Sequence, residues 1–367
     1  MKNTMKIMLA LLTSVSLVGS VNAGEISVSG SAKATYNMLS GGTLSASKGQ
    51  SRALGITNEI DFGATGELDN GYTWNYQVQM DPGATTTAGG GGLDDTRLEL
   101  TTGYGTLGIY VSEGGLDTDN TASQSVYAFP TDIVASGIVD GPGIGSFNNI
   151  QLHTPAGLLP YGIAIKGAFA PGAQSGITSG NAAGAANAVG DFLGNVEQYQ
   201  IKANPVDGLN VGGDYIRHTG QGTTTRTVVQ AEEAGSIFAT YAYGPASFGL
   251  SQTRVAPLIL GTSATASVQS NTAAAARNAN AVRFVKNDKM SVAYNVNESL
   301  SVSYEVEKSN RELIVNAAEN DIKSEAVQAA YTMGGMTLSV SRGTTDNVGY
   351  SATNEVQQTL FAMSMVF

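Results

Sequence analysis

The sequence predicts an all-β protein, a transmembrane antiparallel β-barrel of about sixteen strands with short turns at one end and long loops at the other. Three observations carry this reading. Apolar and polar residues alternate with period two along most of the chain. Charged residues make up only 13% of it, about half the usual share of a soluble domain, yet mean hydropathy is near zero. The chain closes on "TLFAMSMVF", with Phe361, Met363 and Met365 on one face and Ala362 and Ser364 on the other. A strand sends alternate side chains to opposite faces. Repeated alternation without charge is the composition of a wall with lipid on one side and water on the other.

The first residues are set apart from this pattern. Lys2 and Lys6 precede the apolar run "IMLALLTSVSLV", and Val21-Asn22-Ala23 supplies small residues, so 1–23 reads as a secretory signal peptide cut after Ala23. The run is short of the roughly 20 apolar residues that a helix needs to cross a bilayer. Residues 24–367 then form one barrel domain. With 19 basic and 30 acidic residues the formal charge is −11. The leader holds two lysines and no acid, leaving 17 against 30, or −13. Such a chain is not drawn to nucleic acid. It has no cysteine, so no disulfide framework supports it.

Strand follows strand in order. "ISVSGSAKATYN" puts Ile26, Val28 and Tyr36 on one face and Ser27, Lys33 and Asn37 on the other. "LGITNEIDFGATG" and "YTWNYQVQM" flank Asn70-Gly71, a hairpin-turn pair whose residues accept positive φ. Further pairs turn at Gly103 to Gly105, Pro155 to Pro160, Asn204 to Gly208, Gly244-Pro245, Asn297-Glu298 and Gly334-Gly335. With the first and last strands the total is about sixteen, an even number as bacterial barrels use. Between the pairs lie long connectors, from Met38 to Ser51, Pro82 to Leu93, Glu113 to Phe147, Pro171 to Asn195, Arg254 to Asn280 and Gly343 to Thr353. Even parity puts both termini at the short-turn, periplasmic end. There Phe367 sits at the membrane interface and the last strand pairs with the first, leaving no edge.

These features resemble a Gram-negative general porin of the alphaproteobacterial type, most clearly in "ISVSGSAKATY", "RLELTTGYGTLGIYVSEGG", "IQLHTPAGLLPYGIAIKG" and "FAMSMVF". The resemblance covers nearly all of 24–367. It implies an outer-membrane channel for passive diffusion of small hydrophilic solutes and ions, assembled as a homotrimer. It also implies a third loop, 113–147, folded inward to constrict each pore. Lipid and lipopolysaccharide would surround the barrel, and the outer-membrane assembly machinery would act on a C-terminus such as Phe367.

In such a channel lumen charges set selectivity, because the low-dielectric wall focuses their field. Strand phase assigns Lys33, Glu59, Asp61, Arg97, Glu99 and Lys166 to the lumen wall. The loop contributes Glu113, Asp117, Asp119, Asp132 and Asp140 and no Lys or Arg. Acids facing wall bases would put a transverse field across the pore and favour cations. Asp117 and Asp119 in "GGLDTDN" are also hard oxygen ligands of the kind Ca²⁺ takes, a possible structural ion rather than a cofactor, although EF-hand spacing is absent.

Catalysis finds little support. The two histidines, His153 and His218, are far apart in sequence, and no G-x-S-x-G elbow is present. Tyrosines such as Tyr36, Tyr76 and Tyr241 fall in the apolar phase and read as lipid-facing girdles. Competing readings are a substrate-specific channel of the same fold, for example for phosphate or organic acids, and a non-conducting structural or adhesin barrel.

Overall fold

The computed structural model describes residues 24–41, 51–82, 91–133, 137–171, 194–219, 227–262, 265–268, 282–313, 320–352 and 354–367. The segment 1–23, expected from sequence to be a signal peptide, lies outside them. The first strands are β1 (Glu25–Gly41), β2 (Ser51–Glu67), β3 (Thr73–Pro82), β4 (Gly91–Thr102) and β5 (Gly105–Val111). Then come β6 (Asn149–His153), β7 (Ala164–Ala170), β8 (Asn195–Val206), β9 (Leu209–Thr219) and β10 (Thr227–Gln230). The next are β11 (Glu233–Tyr243), β12 (Ala246–Ala256), β13 (Ile259–Thr262), β14 (Thr265–Val268) and β15 (Val282–Asn295). Last are β16 (Leu300–Leu313), β17 (Ile322–Met333), β18 (Met336–Asp346) and β19 (Val356–Val366).

All of these except β10, β13 and β14 close into one antiparallel barrel of sixteen strands, with β19 beside β1. The seam register runs from Ser31 opposite Val366 to Gly41 opposite Val356. Closure satisfies the edge amides that an open sheet would expose to lipid. The barrel hairpins are the pairs expected from sequence.

The wall is built the reverse of a soluble protein. Ile26 and Leu54 on the outside are each 78% exposed, while Gln198 and Glu305 on the inside are fully buried. Along β17 the inward Ser324, Ala326, Gln328 and Ala330 are buried, and the outward Val327 and Tyr331 are exposed. A continuous apolar exterior of this kind needs lipid around it. Register sets outward aromatics side by side, Tyr36 opposite Phe361, Tyr199 opposite Tyr215 and Tyr241 opposite Phe248. Such cross-strand pairs stiffen the sheet and suit the headgroup level.

Two local features differ from expectation. At Asn70-Gly71 only Gly71 takes positive φ, 78°; the Asn70 side chain instead accepts a bond from the Tyr72 amide at 3.1 Å. The connectors after β9 and β12 are not structureless. Val228 pairs with Leu260 and Ile259 with Val268, making a small side sheet of β10, β13 and β14. Its signal was the apolar run "PLIL", whose Leu258 and Ile259 are buried.

An apolar cluster forms inside the barrel. Leu116, Ile144 and Phe147, from the segment between β5 and β6, pack with inward Val196, Ile216, Val255 and Val285. Burying each of the three large side chains stabilises the docked segment by about 1.5–3 kcal/mol.

Candidate functional site

The segment from Ser112 to Asn148 joins β5 to β6 and turns into the barrel. Its base is tied by Asn149, whose Nδ2 donates to the carbonyls of Glu113 at 3.0 Å and Phe147 at 2.8 Å. The loop then meets β8 and β9. Asp214 Oδ1 accepts from the Thr118 amide at 2.8 Å and its hydroxyl at 2.6 Å. Gln198 Nε2 donates to Asp117 at 2.8 Å and Asp214 at 3.1 Å.

Farther on, the loop lies against β12, β15, β16 and β17. Ser251 donates to the Asp119 carbonyl at 2.9 Å, and Ser291 to that of Ala122 at 2.8 Å. Glu305 accepts from Ser123 and Ser125. Gln328 Oε1 takes the amides of Tyr127 at 3.0 Å and Ala128 at 3.1 Å. Gly249 makes this approach feasible: a Cβ there would fall 1.7 Å from the Ala122 carbonyl oxygen. A short helical turn, Pro130–Ile133, ends this stretch.

The wall residues expected from sequence occupy the lumen face as follows. Lys33 Nζ stands 5.8 Å from the centre of the Tyr127 ring. Asp61 accepts from Gln77 at 2.8 Å, and Glu99 from Asn75 at 3.0 Å and Tyr110 at 2.5 Å. Glu59 shares the strand face of Asp61 and pairs in register with Ser31. Arg97 Nε lies 4.0 Å from both Glu99 and Glu113. Lys166 is opposite His153 in the β6–β7 register.

The loop acids take different positions. Glu113 stays at the loop base beside Arg97. Asp119 lies 3.8 Å from Lys289, which is 3.4 Å from Glu307; Asp140 is within electrostatic range of both. The Asp132 side chain lies outside the described residues. Asp117 and Asp119 are each taken up by a wall side chain, Gln198 and Lys289. No group of three or more His, Asp or Glu able to hold a metal forms among the described residues.

Two of the acids have shifted acidity. Loss of solvation pushes Asp117 up to about 6, against the Gln198 bond, and the nearby charges of Asp214 and Asp119 add to it. Its carboxyl is hemmed in by protein although one side meets lumen water. Glu113 is also raised, by desolvation that the Arg97 charge only partly offsets.

Sequence reading missed Gln198, Lys202, Asp214, Lys289, Glu305 and Glu307, all on the inner face. Phase could have found them. Gln198 and Lys202 alternate with outward Tyr199 and Ile201, and Lys289 adjoins outward Met290. Glu305 and Glu307 flank Val306.

Family models give no match to this chain, and neither do curated proteins. Solved structures do. An anion-selective porin from Comamonas acidovorans superposes with a TM-score of 0.67 at 10% identity, over 94% of this chain and 100% of the other. OmpF of Salmonella typhi, in complex with daunomycin, gives 0.62 at 12%, over 94% and 98%. The fold is that of the sixteen-stranded porins. OmpT, an outer membrane protein of Vibrio cholerae, in its trimer form gives 0.59 at 12% identity, over 94% and 100%. These porin-fold matches come from different bacteria and do not single out the alphaproteobacterial type. In porin terms, the described residues between Ser112 and Asn148 lie where an inward-folded third loop would.

Proposed function

We propose that this chain forms a water-filled channel in the outer membrane of a Gram-negative bacterium, through which small hydrophilic solutes and ions diffuse passively. The observation that carries the reading is the inverted wall: a closed sixteen-stranded barrel, apolar outside and lined by Gln, Ser, Lys and Glu inside. Sixteen strands enclose an aqueous lumen too wide for wall side chains alone to fill. The loop narrows it, and the charges around the narrowing act through a focused field.

Weak cation selectivity follows from the balance of charge. The loop acids Glu113, Asp117, Asp119, Asp132 and Asp140 add to Glu59, Asp61, Glu99, Asp214, Glu305 and Glu307. Against them stand Lys33, Arg97, Lys166, Lys202 and Lys289. The anion selectivity named for the Comamonas porin is said of that protein and is not carried over to this chain, which is only 10% identical to it. Three such barrels assemble as a homotrimer in this reading, as in the trimer form of OmpT. The signal peptide directs export, and the assembly machinery engages the strand ending at Phe367. Lipopolysaccharide surrounds the loop end of the barrel in this reading. The described side chains give the Asp117–Asp119 segment no support as a calcium site, because Gln198 and Lys289 already engage the two carboxylates and no third ligand gathers beside them among the described residues.

Single-channel recording of the refolded protein in a planar bilayer tests this. Current steps in groups of three, with a reversal potential directed to the cation in a salt gradient, are expected. Silence from correctly folded protein would overturn the channel reading, and an anion-directed potential would overturn the charge reading alone.

A further inference from the structure

Beneath the loop, toward the short-turn end of the lumen, a recess of about 340 Å³ lies between the wall and the loop. Lys202, Asn204, Asn210, Phe238 and Thr240 form its wall side, and Gln124 reaches it from the loop. Its volume is near the lower end of the roughly 300–1,000 Å³ of small-molecule pockets.

The recess has one charge, several uncharged polar groups and the inward ring of Phe238, with Tyr241 also at its edge. Lys202 Nζ stands 5.9 Å from the centre of the Phe238 ring. Asn210 Nδ2 donates to Thr240 Oγ1 at 3.2 Å, so amide and hydroxyl are held side by side. Lys166, on the neighbouring strand, is within electrostatic range of Lys202 and reinforces positive potential there. Asp214 is also within that range, but its oxygens are engaged by Thr118 and Gln198. None of the described residues bounding the recess is acidic.

We propose that this recess binds small hydroxylated carboxylates of the sugar-acid class on their way through the lumen. The ammonium of Lys202 takes the carboxylate in a charge-assisted bond. Asn204, Asn210, Thr240 and Gln124 exchange hydrogen bonds with the hydroxyls, and the carbon skeleton lies along Phe238. A plain inorganic anion would use the lysine alone and gain nothing from the amides, which would stay bonded to water. A neutral sugar would make no use of the lysine. In a lumen otherwise rich in carboxylates, such a recess gives an anionic solute a place where repulsion is locally reversed. The inference rests on the channel reading, because the recess opens to the lumen.

The test is calorimetric titration of gluconate into the folded, detergent-solubilised protein, with glucose as the neutral comparison. Saturable gluconate binding is expected, tighter than that of glucose and weakened about tenfold by Lys202→Gln. Asn210→Ala should weaken it less. Absence of saturable heat, equal affinity for glucose and gluconate, or unchanged affinity in Lys202→Gln would each overturn the proposal. The glucose comparison needs no variant, so it decides even where a substitution prevents folding. A conducting barrel that ignores gluconate sinks this inference alone; a silent barrel that binds it sinks the channel reading alone.

Discussion

Gly30 and Phe367 hold each other by their main chains across the seam of the barrel. The Gly30 amide donates to the Phe367 carbonyl at 2.8 Å, and the Phe367 amide returns a bond to Gly30 at 3.0 Å. A Cβ at Gly30 would meet the Glu59 carbonyl oxygen at 2.7 Å and the Phe367 ring at 2.8 Å. Gly30→Leu therefore forces the last residue away from the first strand and breaks its two seam bonds at the membrane interface, at about 0.5–1.5 kcal/mol each. The expected outcome is a large loss of folded barrel, read as the fraction that migrates fast on unheated SDS gels. Folding yield equal to the parent would show that the seam tolerates the displaced ring.

Gly249 gives a sharper test of the loop. A side chain there occupies the position of the Ala122 carbonyl, while the outer wall of β12 is untouched. Gly249→Val should undock the loop without opening the barrel. Single-channel conductance should rise, by about twofold if the lumen is relieved of the loop's bulk, and loop peptide bonds should become protease-sensitive. Unchanged conductance with unchanged protection would place the narrowing elsewhere.

Arg97 stands between Glu99 and Glu113 at the loop base. Arg97→Ala removes the positive member of this group, and the cation-to-anion permeability ratio should rise by about twofold. The reversal potential in a salt gradient reads this directly. No change would remove Arg97 from the field that ions sense.

The acidity of Asp117 gives a pH dependence with a definite sign. Its pKa, about 6, lies above the ordinary 3.8, so the folded state holds the proton more tightly than the unfolded chain. The stabilising contribution is present below the ordinary value and is lost as pH rises through about 6. Acidifying from pH 7 to 5 should thus favour loop docking while removing one negative charge, and cation preference should fall. Asp117→Asn should flatten that change. An identical pH profile in the variant would mean that another group titrates.

Most of the barrel was legible because its determinants are local. Ile26 and Val28, or Tyr72 and Trp74, declare a strand face within a few residues, and even parity then predicts where β19 must go. The side sheet was missed because β13 and β14 are four residues each and show no sustained alternation. Site positions divide along the same line. Lys33, Arg97 and Lys166 followed from phase, whereas the attachments of Asp117 to Gln198 and Thr118 to Asp214 join residues distant in sequence. Nothing in "GGLDTDN" says which wall side chain will meet it. Glu305 and Glu307 were readable as inward, but their role depends on where the loop lies.

The loop's hydrogen-bonded anchors on β6, β8, β9, β12 and β15 to β17 have a consequence for how this protein can change over generations. One half of the barrel serves as scaffold, and a substitution at Gln198, Glu305 or Gln328 is felt first as a loosened loop. On the other half, Lys33, Glu59, Asp61 and Gln77 are carried by strands whose pairing does not depend on which polar side chain they bear. Solute preference can drift there one residue at a time while the architecture stays fixed, so that a single frame can serve a succession of habitats.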